Sequence, residues 1–219
     1  MWSRLRELSM DKQKRLLLVA CNCAMILMWG RVLRLFLSEG WNGLASNEES
    51  SSSMPSVCDD VFRRTVLRAL ALTGLEFTNA LVGLTRSSPL PVLLFVSVRL
   101  GTEYWVAPLI GCGAWQHLFT VLCWASGDIV RFGCFAVDSA LESGSYWAKS
   151  VRYTVGPIVF PLGTLGEFLM VLAAASNGRP LLYGAAALWP VGFYPLMKQL
   201  LKQRKKHFTK LKKPEIKMV

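Results

Sequence analysis

Charge is what this 219-residue chain has least of: 18% of its residues are charged, against about 25% in an ordinary soluble domain. With 53% hydrophobic residues and a mean hydropathy of +0.36, that shortage excludes a disordered chain, a fibrous repeat and a disulfide-stapled secreted scaffold. Also missing are a glycine-rich nucleotide loop, a metal-binding His-Glu-x-x-His and a glycosylation sequon. Cysteine is sparse and its spacing unpromising. Cys21 and Cys23 are two apart, on different faces of a helix, and make a poor metal pair. Cys112, Cys123 and Cys134 recur every eleven residues, which reads as a small-residue packing stripe. Cys58 and Arg64 match the bare Cys-x5-Arg spacing of phosphatases, but Asp59-Asp60-Val61-Phe62-Arg63 between them has no glycine to present amides to a phosphate, and its two acids would repel one. No metal and no cofactor are expected.

What the chain does have is long apolar runs. Crossing a bilayer core of about 30 Å takes roughly 20 apolar residues in a helix, and six segments qualify: Leu16–Leu37, Val66–Leu84, Leu90–Ile110, Trp115–Val137, Val151–Ser176 and Leu181–Leu200. The first does not read as a cleaved signal peptide, since Trp29-Gly30-Arg31 follows where small residues would stand. The expected fold class is therefore all-α, a multi-pass transmembrane bundle of six helices. Three parts follow: a basic segment 1–15, a membrane domain 16–200 with a polar loop 38–60, and a basic tail 201–219.

Arg4, Arg6, Lys12, Lys14 and Arg15 precede the first helix, and the tail holds eight basic residues with only Glu215 against them. That carries most of the formal +11. Positive charge favours the cytoplasmic side, so both termini are expected there, or on its topological equivalent. The loop 38–60, with five acids and no Lys or Arg, falls opposite. Arg63, Arg64 and Arg68 at the start of the second span run against this trend and call for snorkelling. Only Phe208 interrupts the basic tail, so membrane lipids or a protein partner fit it better than nucleic acid, which would want interleaved aromatics. Trp29, Trp41, Trp105, Trp115 and Trp147 stand near span edges, as an interfacial belt would. His117 reads as an interfacial polar group.

Ionisable side chains at bilayer depth are costly and face the bundle interior. Here they are Glu76, Arg99, Glu103, Asp128, Arg131, Arg152 and Glu167, with Asn22 and Asn79 as neutral companions. Arg99 and Glu103 are i,i+4; Asp128 and Arg131, and Glu76 and Asn79, are i,i+3. Such pairs share a helix face and can neutralise each other. Arg86, Arg131 and Arg152 should gather at the cytoplasmic mouth, where guanidinium groups would bind phosphates. Glu167 lies fifteen residues beyond Arg152, about 22 Å deeper along a helix. A phosphate-bearing head at the mouth and an apolar part at depth would suit an acyl-CoA. Pro157 and Pro161, with Gly156, Gly163 and Gly166, mark the fifth span for kinks and close helix approach.

Three stretches carry a resemblance. Leu75-Glu76-Phe77-Thr78-Asn79-Ala80-Leu81-Val82-Gly83-Leu84, followed by Arg86-Ser87-Ser88, looks like LE..H...G(L/I)V.S. Trp124 to Arg131 looks like W...E(I/V)(I/V)RY, and Trp147 to Glu167 like W..RYT....YP.G..GE. These are segments of the membrane 3-hydroxyacyl-CoA dehydratases of very-long-chain fatty-acid elongation, also called protein-tyrosine-phosphatase-like proteins. The likeness runs from about Leu75 to Leu200. It implies six spans, cytoplasmic ends and residence in the endoplasmic reticulum; a complex subunit could instead sit in the mitochondrial inner membrane.

The family's reaction removes a proton from the carbon beside the thioester and expels the 3-hydroxyl, using a tyrosine and a glutamate seven residues apart. Here the glutamate position is Glu167 and the tyrosine position is Phe160. Asn79 stands for histidine, Asp128 for glutamate, Phe132 for tyrosine and Phe95 for glutamine, while Arg99, Arg131, Arg152, Tyr153 and Gly163 are kept. A phenyl ring moves no proton, so the resemblance implies a degenerate, catalytically impaired member. Such a chain would serve as a structural or lipid-binding subunit of a membrane complex, with membrane lipids and an acyl-CoA or acyl chain as partners. The alternative is an active dehydratase relying on Glu167.

Overall fold

The computed structural model describes the backbone of residues 2–45, 60–85, 88–111, 114–141 and 145–212, and the side chains of 12–38, 61–85, 88–111, 114–141 and 145–209. The described chain is all helical: α1 (Trp2–Ala45), α2 (Asp60–Thr73), α3 (Leu75–Leu81), α4 (Pro89–Gly101), a π turn (Thr102–Val106), α5 (Ala107–Ile110), α6 (Trp115–Ala140), α7 (Tyr146–Ser176) and α8 (Leu181–Lys212). The breaks at Gly74 and at the π turn are internal to rods, so the helices assemble as six rods, one for each apolar run. Four of these, within Lys12–Ser38, Pro89–Ile110, Trp115–Ala140 and Tyr146–Ser176, are long and apolar enough to cross a membrane. The α2–α3 rod is interrupted and opens with three arginines, and α8 dilutes its apolar half with Trp, Tyr, Gly and Pro.

The central helix α6 packs on α1 and α7, α8 packs on α7, and α2 on α1. Met25, Trp29 and Val32 of α1 meet Phe62, Val66 and Leu70 of α2 and Val121, Trp124 and Phe132 of α6 in the larger core. A second cluster joins Val106 and Ala107 to Met170, Val171 and Ala174 of α7 and Ala186 of α8. Trp29 belongs to the first core rather than to a belt: it is fully buried and its indole N–H donates to Thr73 Oγ1 at 3.3 Å. Trp105, Trp115 and Trp147 are exposed, and the side chain of Trp41 falls outside the described residues.

The π turn has a local cause. Pro108 lacks the N–H that would serve the Tyr104 carbonyl four residues back, and that carbonyl instead accepts from Arg63 Nη2 of α2 at 3.4 Å. One of the arginines on the unexpected side thus caps a broken helical ladder. The prolines of α7 do not break it, and the helix runs unbroken from Tyr146 to Ser176.

Small residues let α6 and α7 approach closely. A Cβ added at Gly163 would meet Cys123 Cβ and Trp124 Cδ1 at 3.6 Å, ordinary contact, but at Gly166 it would come within 3.2 Å of the Thr120 Cα. Backbone cannot step aside as a flexible side chain can. Replacing Gly166 by valine should therefore destabilise the bundle by about 1–3 kcal/mol, read as a lower melting temperature in detergent. An unchanged melting temperature would mean that the two helices are not in contact here.

Candidate functional site

Five of the charged side chains form one chain across four helices. Glu76 Oε2 of α3 lies 2.9 Å from Arg131 Nη2 of α6, and that same nitrogen is 3.5 Å from Asp128 Oδ1. Asp128 Oδ2 accepts from Arg99 Nη1 of α4 at 2.7 Å, and Arg99 Nε is 3.9 Å from Glu167 Oε1 of α7. The Trp124 indole N–H donates to the same Glu167 oxygen at 2.8 Å. Aromatic faces cover the cations: Arg99 stands over Phe95 at 3.9 Å, Arg131 over Phe132 at 4.6 Å and Arg152 over Phe135 at 4.4 Å. Alternation of sign in a water-poor interior is what makes such burial tolerable.

Spacing along the chain anticipates part of this. Asp128 and Arg131 do sit together, but Arg99 and Glu103 do not pair. The π turn begins at Thr102 and adds a residue to the helical turn, carrying Glu103 away from the face that Arg99 occupies. Glu103 Oε2 meets His117 Nε2 at 2.9 Å instead, and both side chains are wholly buried. His117 is thus an interior group tied across two helices, not an interfacial one. It also meets Phe62 edge-on at 6.3 Å.

The charge chain borders two neighbouring pockets that share part of their lining, an inner and an outer chamber. The inner one, about 270 Å³, is lined by Arg99, Asp128, Arg131, Arg152, Phe160 and Glu167 among apolar residues that include Phe95, Val159, Leu196 and Leu200. The outer one, about 920 Å³, is lined by Asn22, Glu76, Asn79, Lys149, Tyr153, Lys206 and His207. Pro91, Val92, Arg152, Gln199 and Gln203 line both and so mark the neck, where the two adjoin. Leu18 of α1 and His207 near the end of α8 line the outer chamber together, so these stretches of the two terminal helices lie close to each other.

Of the residues singled out by sequence, Arg99, Asp128, Arg131, Arg152, Phe160 and Glu167 come together in the inner chamber, and Glu76, Asn79 and Tyr153 in the outer. Glu103 lies apart with His117, and Arg86 falls outside the described residues. Tyr153 does not line the inner chamber with Glu167; its ring packs on His207 at 5.1 Å. Among the described residues the groups on the Glu167 carboxylate are an indole and a guanidinium. Both only donate, and neither exchanges its proton readily. Phe160 stacks between Phe95 (6.4 Å) and Phe193 (5.6 Å). The two phenyl rings that replace a glutamine and a tyrosine of the resembled pattern therefore lie on each other.

Sequence reasoning missed Trp124 as the donor to Glu167, although it stands four residues before Asp128 and so on the same helix face. It also missed Gln199 and Gln203, whose i,i+4 spacing on α8 was the available signal.

Comparison with known proteins settles the relationship. The model of the family described as protein tyrosine phosphatase-like protein, PTPLA, matches residues 70–210, which takes in every member of the charge chain. The chain belongs to the PTPLA family. It is 27% identical over 144 residues to a probable very-long-chain (3R)-3-hydroxyacyl-CoA dehydratase of Schizosaccharomyces pombe, covering 60% of this chain and 67% of that one. To the very-long-chain (3R)-3-hydroxyacyl-CoA dehydratase of Caenorhabditis elegans it is 25% identical over 163 residues, covering 73% of this chain and 70% of the other. No solved structure matches. This PTPLA chain is a 3-hydroxyacyl-CoA dehydratase-like membrane protein, and its apolar helices place it among lipids.

Proposed function

We propose that this PTPLA chain holds an acyl chain in its inner chamber without dehydrating it, as a structural or lipid-binding subunit of a membrane complex. The observation that carries the reading is the aromatic stack Phe95–Phe160–Phe193, of which Phe95 and Phe160 line the same chamber as Glu167. Dehydration needs one group to take the proton from the carbon beside the thioester and another to assist departure of the 3-hydroxyl. Glu167 can fill one of these roles, and the position expected to fill the other presents a phenyl edge. Residence in the endoplasmic reticulum, as the relatives' elongation chemistry implies, is part of the proposal; the mitochondrial inner membrane is the alternative for a complex subunit.

A second reading has its own support. Glu167 is retained, lies beside Arg99 and lines an accessible cavity, as an active dehydratase using that carboxylate with a bound water would require. Purified protein offered a 3-hydroxyacyl-CoA separates the two. No trans-2-enoyl-CoA above the uncatalysed level is expected. Turnover that disappears in Glu167→Gln would establish the active dehydratase and overturn the scaffold.

A further inference from the structure

The three guanidinium groups of the inner chamber are not equivalent. Arg99 is held by Asp128 and Glu167, and Arg131 by Glu76 and Asp128. Arg152 has no carboxylate within ion-pair distance among the described residues. It is half-buried, steadied by the faces of Phe135 at 4.4 Å and Tyr153 at 5.4 Å, and it lines both chambers at the neck. In the outer chamber Lys149 is committed to Asp138 at 3.1 Å, which leaves Lys206 as the other cation there with no such partner among the described residues. Gln199 and Gln203 flank the same neck and offer amide donors.

We infer that the neck at Arg152 binds the head of an amphiphile bearing a single carboxylate, a long-chain fatty acid, with its tail in the inner chamber. The guanidinium supplies two parallel N–H donors, the geometry a carboxylate accepts best, and the glutamine amides can serve lone pairs left over. Charge counting over the described residues favours a singly charged head over a polyphosphate. Among the described residues, a nucleotide carrying several negative charges would find only Arg152 and Lys206 without a carboxylate partner in these chambers. One anion matches the neck; several do not.

This inference rests on the reading of the inner chamber as an acyl pocket, and the test keeps the two apart. Full-length protein in detergent would be titrated with palmitate, methyl palmitate and palmitoyl-CoA by equilibrium dialysis. Palmitate is expected to bind about tenfold or more tightly than its methyl ester, because a charge-assisted hydrogen bond contributes roughly 1.5–3 kcal/mol. Arg152→Gln should remove that advantage, and Arg152→Lys should keep part of it. Equal binding of palmitate and methyl palmitate would overturn the carboxylate head while leaving the acyl pocket standing. So would palmitoyl-CoA binding more tightly than palmitate. No binding by any of the three would overturn both readings. Should Arg152→Gln fail to fold, the acid-against-ester comparison on the unaltered protein still decides.

Discussion

Substituting Asp128 by alanine is expected to cost the bundle about 3–5 kcal/mol, as much as truncating a large core side chain. Asp128 is 2% exposed, and its carboxylate joins two guanidinium groups, at 2.7 Å from Arg99 and 3.5 Å from Arg131. Without it, the only carboxylate near Arg99 among the described residues is Glu167 at 3.9 Å, and the Arg99 Nε already lacks a hydrogen-bond partner. An uncompensated cation in an apolar interior is the expensive outcome, more than any net gain from the intact pair. The contrast lies nearby. Lys149 and Asp138 are 3.1 Å apart with side chains 42% and 34% exposed, and breaking that pair should cost at most about 1 kcal/mol. Thermal melts of Asp128→Ala and Lys149→Ala in one detergent check the ordering. Equal melting temperatures would mean that water reaches the charge chain, and the buried network would lose its structural role.

What spacing along one helix could reveal, it did. The apolar runs gave the rods, and the i,i+3 step from Asp128 to Arg131 gave one link of the charge chain. The failures share a cause. Glu103 and His117 are fourteen residues apart on neighbouring rods, and nothing in either local context announces the other. His117 sits among apolar residues near a helix start, a setting that looks interfacial until the partner carboxylate is seen. The Arg99–Glu103 register fails because Pro108, well beyond the pair, withdraws a backbone donor and the helix widens before it. Trp29 looked like a belt residue by position, yet Thr73 on another rod gives its N–H a buried partner. A π turn, an inter-helix hydrogen bond and a cavity neck are all tertiary facts, whereas the composition of Phe95 and Phe160 was readable at once. Their stacking on each other was not.

Restoring the hydroxyl as Phe160→Tyr tests how far the site lies from chemistry. A positioned acid–base group contributes about 10²–10⁴ in rate, so if its loss is the main defect, the variant should form trans-2-enoyl-CoA from a 3-hydroxyacyl-CoA at least a hundredfold faster than the unaltered chain. The ring is half-buried and lines the inner chamber, so the added oxygen can reach cavity space rather than sealed core. The stack argues that the gain will fall short of the full range. Phe95 and Phe193 hold the ring flat between them, and Phe95 occupies the place where the family pattern has an amide that could orient a phenol. Pairing Phe160→Tyr with Phe95→Gln should therefore exceed Phe160→Tyr alone, and adding Glu167→Gln to the pair should erase the gain. If the paired variant is as silent as the starting chain, one missing oxygen is not what separates this protein from its relatives. Asn79, Asp128 and Phe132, the other departures from the resembled pattern, would then be the next positions to restore.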